Sequence, residues 1–328
     1  MEPWRSVLST YSAPFQPSRC QPLGSAGGFS GAALWRLETP AGTLCLRRWP
    51  AEHPTRQRLA WLHQILLHVC RRNLPQVPAP FPNLHGETFL QHNGRLWELT
   101  PWMPGEANYP QAPHPEKLQA AMEVLARFHI AAATLHADRG PSPGLQERTR
   151  WLRELLQGEG RRIQAAIRPS PWPELVELAH RLLSHFFQRA PACLSRLEAA
   201  AHLQAPLSPC LRDVWSDHIL FRENQVTGLI DFGAMRMETV AGDLARLLSS
   251  LDDDPAIWEH GLRAYRQTRE LSTSERSLIP LFAESGALLS GISWLKWIYL
   301  EGRDFTDSQS RVLARMQEIL RRLEAFAR

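Results

Sequence analysis

The hydrophobic period of this 328-residue chain changes once, near Pro101 to Gly105, and that change limits the fold more than any other feature. Before it, apolar residues alternate. Ala33, Trp35 and Leu37 share one side of a stretch over 32–39, the turn residues Pro40, Ala41 and Gly42 follow, and a second stretch covers 43–49. A period of two sends successive side chains to opposite faces, which makes these strands with one face to bury. One helical run interrupts them: Pro54 and Thr55 open it, and Leu59, Leu62, Ile65, Leu66 and Val69 mark its apolar stripe. A hairpin over 87–100 turns at Asn93-Gly94, a pair suited to the positive φ angles of a tight turn. Beyond Gly105 the period becomes helical, with runs from Pro115 to His136, over 146–166 and over 173–200. An irregular stretch ending at Cys210 and a short strand pair precede further helices. The pattern predicts an α+β chain with two lobes: residues 1–100 small and strand-rich, 101–106 a hinge, and 107–328 larger and helical.

Charge and cysteine usage remove several classes of function. Net charge is only +4, and no basic run exceeds a pair, so a clustered nucleic-acid stripe is absent. The five cysteines form no C-x-x-C pair, which indicates neither a disulfide framework nor a zinc site. The N-terminal residues have no apolar core of the kind a signal peptide carries. Leu278 to Leu300 is the most apolar stretch, but Glu284, Lys296 and two glycines interrupt it, as in a buried helix. The expectation is a cytoplasmic chain with no membrane or nucleic-acid partner; a protein partner is left open.

The segment from Leu211 to Gly233, LRDVWSDHILFRENQVTGLIDFG, carries the chemistry. Ile219 to Phe221 and Val226 to Phe232 read as two antiparallel strands around a polar turn. Pairing Phe221 with Gly228 puts His218 opposite Asp231, with a slip of a residue or two left open. Asp213 precedes the first strand at the same end. Two carboxylates and an imidazole then converge on one hairpin mouth. A magnesium ion that bridges phosphate oxygens needs hard oxygen ligands, and Asp231 offers one. Asp213 is placed to orient an acceptor hydroxyl and take its proton.

These residues resemble the catalytic and metal loops of the aminoglycoside phosphotransferase and choline kinase-like family, a branch of the protein-kinase-like fold. The resemblance implies that Asp213 is the catalytic aspartate and Asp231 the metal aspartate. It also implies that Asp243, in Gly242-Asp243-Leu244-Ala245, braces the catalytic loop. The glycine-rich GSAGGFSGA, with Gly27, Gly28 and Ser30, falls where that family covers the nucleotide phosphates, and glycines let backbone N–H groups approach phosphate. Trp97 to Trp102, including Glu98 and Thr100, falls at the adenine hinge. The implied activity is transfer of the γ-phosphoryl group of ATP to a hydroxyl of a small molecule.

Three departures from the family pattern stand out. The chain has two lysines, Lys117 and Lys296, and neither is near the third strand; Arg47 stands where the phosphate-gripping lysine would be. By alternation Arg47 shares a face with Cys45, which aims it at the nucleotide. The following helix has no acid after Thr55, leaving Glu52, Gln57 or Gln64 as substitutes for its glutamate. His218 replaces the metal-binding asparagine, and Leu211 the histidine that opens the loop. Imidazole suits manganese better than magnesium, so the expected cofactors are ATP with Mg2+ or Mn2+, held by Asp231 with His218 or Asp217. The alternative is a pseudokinase-like module that binds nucleotide or a partner without turnover. Asp252 to Asp254 could attract a cationic acceptor, and Trp294 with Trp297 could pack on one; a solvated acidic loop and ordinary core are the competing readings.

Overall fold

The computed structural model describes residues 3–24, 31–168, 172–305 and 308–325. A short helix α1 (Pro3–Leu8) leads to strands β1 (Arg19–Pro22), β2 (Ala33–Thr39) and β3 (Gly42–Arg48), then helix α2 (Arg56–Arg71). The hairpin of β4 (Phe89–His92) and β5 (Arg95–Pro101) precedes α3 (Pro115–Ala133). Next come β6 (Asp138–Pro141), α4 (Pro143–Glu154), α5 (Gly160–Ala166) and α6 (Pro173–Ala200). β7 (Gln204–Cys210) is followed by β8 (Ile219–Arg222), β9 (Gln225–Leu229) and β10 (Arg236–Glu238). Helices α7 (Ala241–Leu251), α8 (Pro255–Thr268), α9 (Thr273–Leu295) and α10 (Gln309–Ala325) complete the order.

Contacts divide the chain into two units. The first comprises Met1–His136, Asp213–Met235 and Arg263–Arg269. Its antiparallel sheet has the order β1-β2-β3-β5-β4. Alternation sorts the two faces as the sequence requires. Leu37, Leu44, Leu46, Trp97 and Leu99 point to one side and pack with Val7, Leu8 and Tyr11. Burying each such side chain is worth about 1.5–3 kcal/mol. α2 begins at an N-cap, the Thr55 side chain accepting the Arg58 N–H, and buries Leu59, Leu62, Ile65, Leu66 and Val69. The β4–β5 turn places Asn93 at φ 49° and Gly94 at φ 71°, as the Asn-Gly pair predicts.

The β8–β9 hairpin differs from the expected register. Leu220 pairs with Gly228 and Phe221 with Val226, with an irregularity between them. His218 therefore lies opposite Ile230, whose N–H donates to the His218 carbonyl at 3.0 Å. Two local causes are visible. The turn takes only Glu223, at φ 52°, and Asn224. On its other edge Phe221 exchanges two 2.9 Å backbone bonds with Glu106, while the Thr227 hydroxyl donates to the Pro104 carbonyl at 2.5 Å. These outside bonds accommodate the extra residue in β9.

The second unit comprises Ala137–Arg212, Arg236–Leu262 and Glu270–Arg328. It is mainly helical and also holds a three-stranded sheet, β10-β7-β6. The stretch before Cys210 is thus a strand and not irregular. Pro206 and Pro209, which cannot donate to a ladder, disguise it in the sequence. α9 packs with α4, α6, α7 and α10. The helical stretch Thr273–Leu300 is long and apolar enough to cross a membrane, and 61% of its most apolar window is buried inside the protein. α9 starts from a capping box in which Ser272 and Glu275 satisfy each other's backbone N–H groups.

Candidate active site

The face of the first unit's sheet turned away from its main core lines a cavity of about 220 Å³. Cys45 and Arg47 of β3 and Glu98 and Thr100 of β5 all reach it, because each lies one residue from a core position on its strand. β3 and β5 are direct neighbours, with Cys45 opposite Thr100 and Arg47 opposite Glu98. α2 adds an apolar wall, including Leu62 and Leu66, together with one polar side chain, His63. Asp231, Phe232 and Gly233 line it from beyond β9.

Arg47 is the cation of this cavity. Its Nε lies 3.6 Å from Glu98 Oε1 and one terminal nitrogen 3.9 Å from Asp231 Oδ1, while the guanidinium sits 4.8 Å over the Trp49 ring. Glu98 is only 6% exposed, and its second oxygen, Oε2, accepts from His63 Nε2 at 2.7 Å. His63 is 2% exposed, and its Nδ1 lies 2.8 Å from the Thr88 hydroxyl. Burial opposes charge on both acid and base. The His63 hydrogen bond and the Arg47 charge nonetheless hold the Glu98 carboxyl below its ordinary range, and Glu98 and Asp231 hold the Arg47 guanidinium above its own. Burial also pushes the Cys45 thiol up to about 11.

This arrangement corrects one expectation. Glu52, Gln57 and Gln64 are all exposed, so none of them replaces the missing helix glutamate as a partner for Arg47. The partner is Glu98, which the sequence pointed to as a hinge contact. The helix contributes His63 instead, a residue that sequence reasoning missed. Its signal was available: His63 sits within the apolar stripe of α2, where a polar residue needs a buried partner.

The residues leading into the loop before β8, Leu211 and Arg212, are held by Asp243. Both oxygens of Asp243, a fully buried side chain, accept backbone N–H groups at 2.7 Å, one from Leu211 and one from Arg212. That is the bracing contact expected of Asp243. Arg212 adopts φ 63°, a left-handed conformation unfavourable for a residue with a Cβ, and its guanidinium pairs with Glu147 at 2.6 Å. Asp213, the next residue, is half-buried, and its carbonyl accepts from His218 Nδ1 at 2.7 Å. The Trp215 indole N–H donates to His218 Nε2 at 2.9 Å. Since an indole only donates, Nε2 is the acceptor and Nδ1 carries the proton. The same ring lies 3.7 Å from Asp231 Oδ2. Asp231 is itself at φ 63°, with its side chain 48% exposed at the cavity. Asp217 is exposed.

Gly27, Gly28 and Ser30 lie outside the described residues. The acceptor candidates of the second unit have structural partners. Asp253 pairs with Arg321 at 3.0 Å and Arg322 at 3.4 Å. Trp294 is buried, in edge contact with Trp297 at 5.1 Å and Phe305 at 5.4 Å.

The sheet, the helix across it and the Asp-Phe-Gly turn beyond a short hairpin define a kinase-like phosphotransferase fold, α+β in class. Spectinomycin phosphotransferase, solved with ADP and spectinomycin, matches 98% of this chain and 96% of its own at a TM-score of 0.69 and 11% identity. An aminoglycoside phosphotransferase from Alicyclobacillus acidocaldarius matches 98% and 93% at 0.66 and 18% identity. A microcompartment-associated aminopropanol kinase matches 99% and 96% at 0.61 and 16% identity. Residues 23–275 match the model of the phosphotransferase enzyme (APH) family, and the chain belongs to that family. Among curated relatives, a homoserine kinase from Polaromonas naphthalenivorans strain CJ2 is 24% identical over 297 residues, 86% of this chain and 83% of that protein. A homoserine kinase from Acidiphilium cryptum strain JF-5 is 26% identical over 238 residues, 70% of this chain and 67% of that protein.

Proposed function

We propose that this protein is an ATP-dependent small-molecule kinase that moves the γ-phosphoryl group to a hydroxyl. The observation that carries the reading is a cavity in which a half-buried cation, Arg47, meets the half-exposed carboxylate of Asp231. A triphosphate needs cationic and hard-cation contacts at one end and an apolar slot for its base at the other. Arg47 and Asp231 supply the first, and the apolar lining between β5 and α2 the second.

The residues present fit a divalent ion. Asp231 offers a hard oxygen donor at the cavity, whereas both His218 nitrogens are already committed within the loop, which favours Asp231 as the ligand and His218 as its positioning neighbour. When bound there, magnesium or manganese would neutralise phosphate oxygens. Arg47 would hold the phosphates, and Thr100 with the hinge would face the base. Asp213 would orient the acceptor hydroxyl and take its proton as the oxygen bonds to the γ-phosphorus and the bond to the β,γ-bridging oxygen breaks, releasing ADP. The glycine-rich segment with Gly27, Gly28 and Ser30 is assigned to covering the phosphates. The names of the curated relatives and of the aminopropanol kinase suggest small amino alcohols, homoserine among them, as the first acceptors to test.

The test combines thermal shift with ATP or GTP, each with Mg2+ or Mn2+, and ADP release across a panel of amino alcohols, hydroxy amino acids and aminoglycosides. Turnover that needs a divalent ion and disappears in Asp213→Ala and Asp231→Ala proteins, with the fold retained, is expected. No nucleotide-dependent stabilisation and no turnover under any condition would remove the kinase reading in favour of the pseudokinase.

A further inference from the structure

Arg47 has two carboxylate neighbours, and only one of them remains when the cavity is in use. On the reading above, Asp231 is committed to a cation, which leaves Glu98 as the group that fixes the guanidinium. Glu98 divides its oxygens cleanly: Oε1 faces Arg47 at 3.6 Å and Oε2 takes the His63 bond at 2.7 Å. His63 is in turn fixed from its other nitrogen by Thr88. The four side chains form a continuous line, Thr88–His63–Glu98–Arg47, drawn from the β4 approach, α2, β5 and β3.

We propose that Glu98 and His63 are positioning residues for the nucleotide phosphates: a carboxylate borne on β5, steered by a histidine on α2, does the work of the acid that α2 lacks. Geometry supports this independently of any nucleotide. Direct cross-strand pairing brings Arg47 and Glu98 together on the cavity face. Glu98 is too buried to be held by water, so its orientation comes from neighbouring side chains, among which His63 makes the 2.7 Å bond to Oε2. An arginine on a flexible stem would otherwise sample many rotamers, and ordering it in advance lowers the entropic cost of gripping a phosphate. The helix then communicates with the cavity through an imidazole hydrogen bond and not through an ion pair of its own.

The inference rests on the kinase reading, and the experiment separates the two. MgATP affinity is measured by calorimetry, and KM for ATP against kcat by ADP release, for wild type, His63→Ala, His63→Gln, Glu98→Gln, Arg47→Ala and the His63→Ala/Arg47→Ala double variant. His63→Ala and Glu98→Gln should each weaken MgATP about tenfold. The change should fall on KM for ATP, with kcat within about twofold and the acceptor KM unmoved. His63→Gln, whose amide can still donate to Glu98, should recover most of the loss. In the Arg47→Ala background the His63→Ala change should have no further effect, because its action passes through Arg47. Wild-type affinity in His63→Ala, or an undiminished effect in the double variant, overturns the inference while leaving the kinase reading intact. Should His63→Ala not fold, His63→Asn, too short to reach Glu98, replaces it; equal binding by the Asn and Gln variants again overturns the proposal. A wild-type protein that binds no nucleotide overturns both.

Discussion

Replacing Asp243 by alanine tests the loop that presents Asp213. The carboxylate is fully buried and accepts two backbone N–H groups at 2.7 Å, one on each oxygen. Removing it leaves both donors without that acceptor, and a buried unsatisfied polar group costs about 1–3 kcal/mol, so two bound the loss at roughly 2–6 kcal/mol. The left-handed Arg212 sets a competing outlet. At φ 63° it stores about 1–2 kcal/mol of strain, which the loop recovers if Arg212 flips to negative φ. The net destabilisation should therefore lie near 1–4 kcal/mol, and the same relaxation would displace the peptide that leads into Asp213. Asp243→Asn keeps one acceptor oxygen but turns an NH2 group toward the second N–H, so it should lose at least half as much. Urea unfolding followed by circular dichroism gives the stability, and ADP release gives the activity. On the kinase reading, activity should fall by more than the unfolded fraction explains. A stability change under about 0.5 kcal/mol for Asp243→Ala would refute the reasoning, since it would show that water or another acceptor already satisfies those amides.

Three further outcomes are expected. Glu98 titrates in the folded protein below its unfolded value of about 4.3, so its ionisation contributes stability that is fully present above that value and lost as pH falls through the lower folded one. Wild type minus Glu98→Gln stability, from urea melts, should therefore be largest at neutral pH and shrink below about pH 4; a pH-independent gap would contradict it. The Cys45 thiol, raised to about 11, should react with iodoacetamide slowly at pH 7.5 and faster as pH rises toward that value, and MgATP should slow it further. Fast labelling at neutral pH would be inconsistent with its burial. Gly105→Ala should destabilise the protein by about 3 kcal/mol or more. Its φ is 104°, and an added Cβ would overlap the Thr227 hydroxyl and lie 2.7 Å from the Phe221 carbonyl; near-wild-type urea stability would show that this junction moves easily.

The fold was legible wherever one face of an element is apolar and the other is not. The β2–β3 and β4–β5 hairpins and α2 follow directly from alternation, the Asn93-Gly94 turn and the Thr55 cap, and α6 starts at Pro173 as its pattern requires. The β10-β7-β6 sheet was not legible, because β7 is buried along most of its length and carries two prolines, so neither alternation nor propensity marks it. The hairpin register was legible only to within a residue or two for a related reason: it depends on bonds from Glu106 and Pro104, more than a hundred residues away in sequence. Within the site, Asp231 and Arg47, which the hairpin, strand alternation and the family resemblance singled out, both line the cavity. Glu98 as partner of Arg47 could not be foreseen, because that requires knowing that β5 lies beside β3 with a particular register. Nor could the His218 bonds to the Asp213 carbonyl and Trp215, which are set by the shape of a loop and not by periodicity.

The departures from the family pattern become mutually consistent once the chemistry of arginine is considered. A lysine buried in this mostly apolar cavity without an acid on α2 would risk losing its proton, since desolvation lowers an ammonium pKa readily. A guanidinium does not, so the cation survives burial even though its helix partner is gone. Its nitrogens also point in different directions, which lets Nε face Glu98 while a terminal nitrogen faces Asp231. An ammonium on the same strand, a compact point charge, has no such planar fork to satisfy two anchors on separate elements. Moving the carboxylate from the helix to β5 then requires something to stop it turning away from the guanidinium, and His63 lies at hydrogen-bond distance from its far oxygen. On the proposal that Glu98 and His63 position Arg47, the absent lysine, the absent helix glutamate and the buried histidine are parts of one arrangement, so none of them taken singly argues that the site has lost its use.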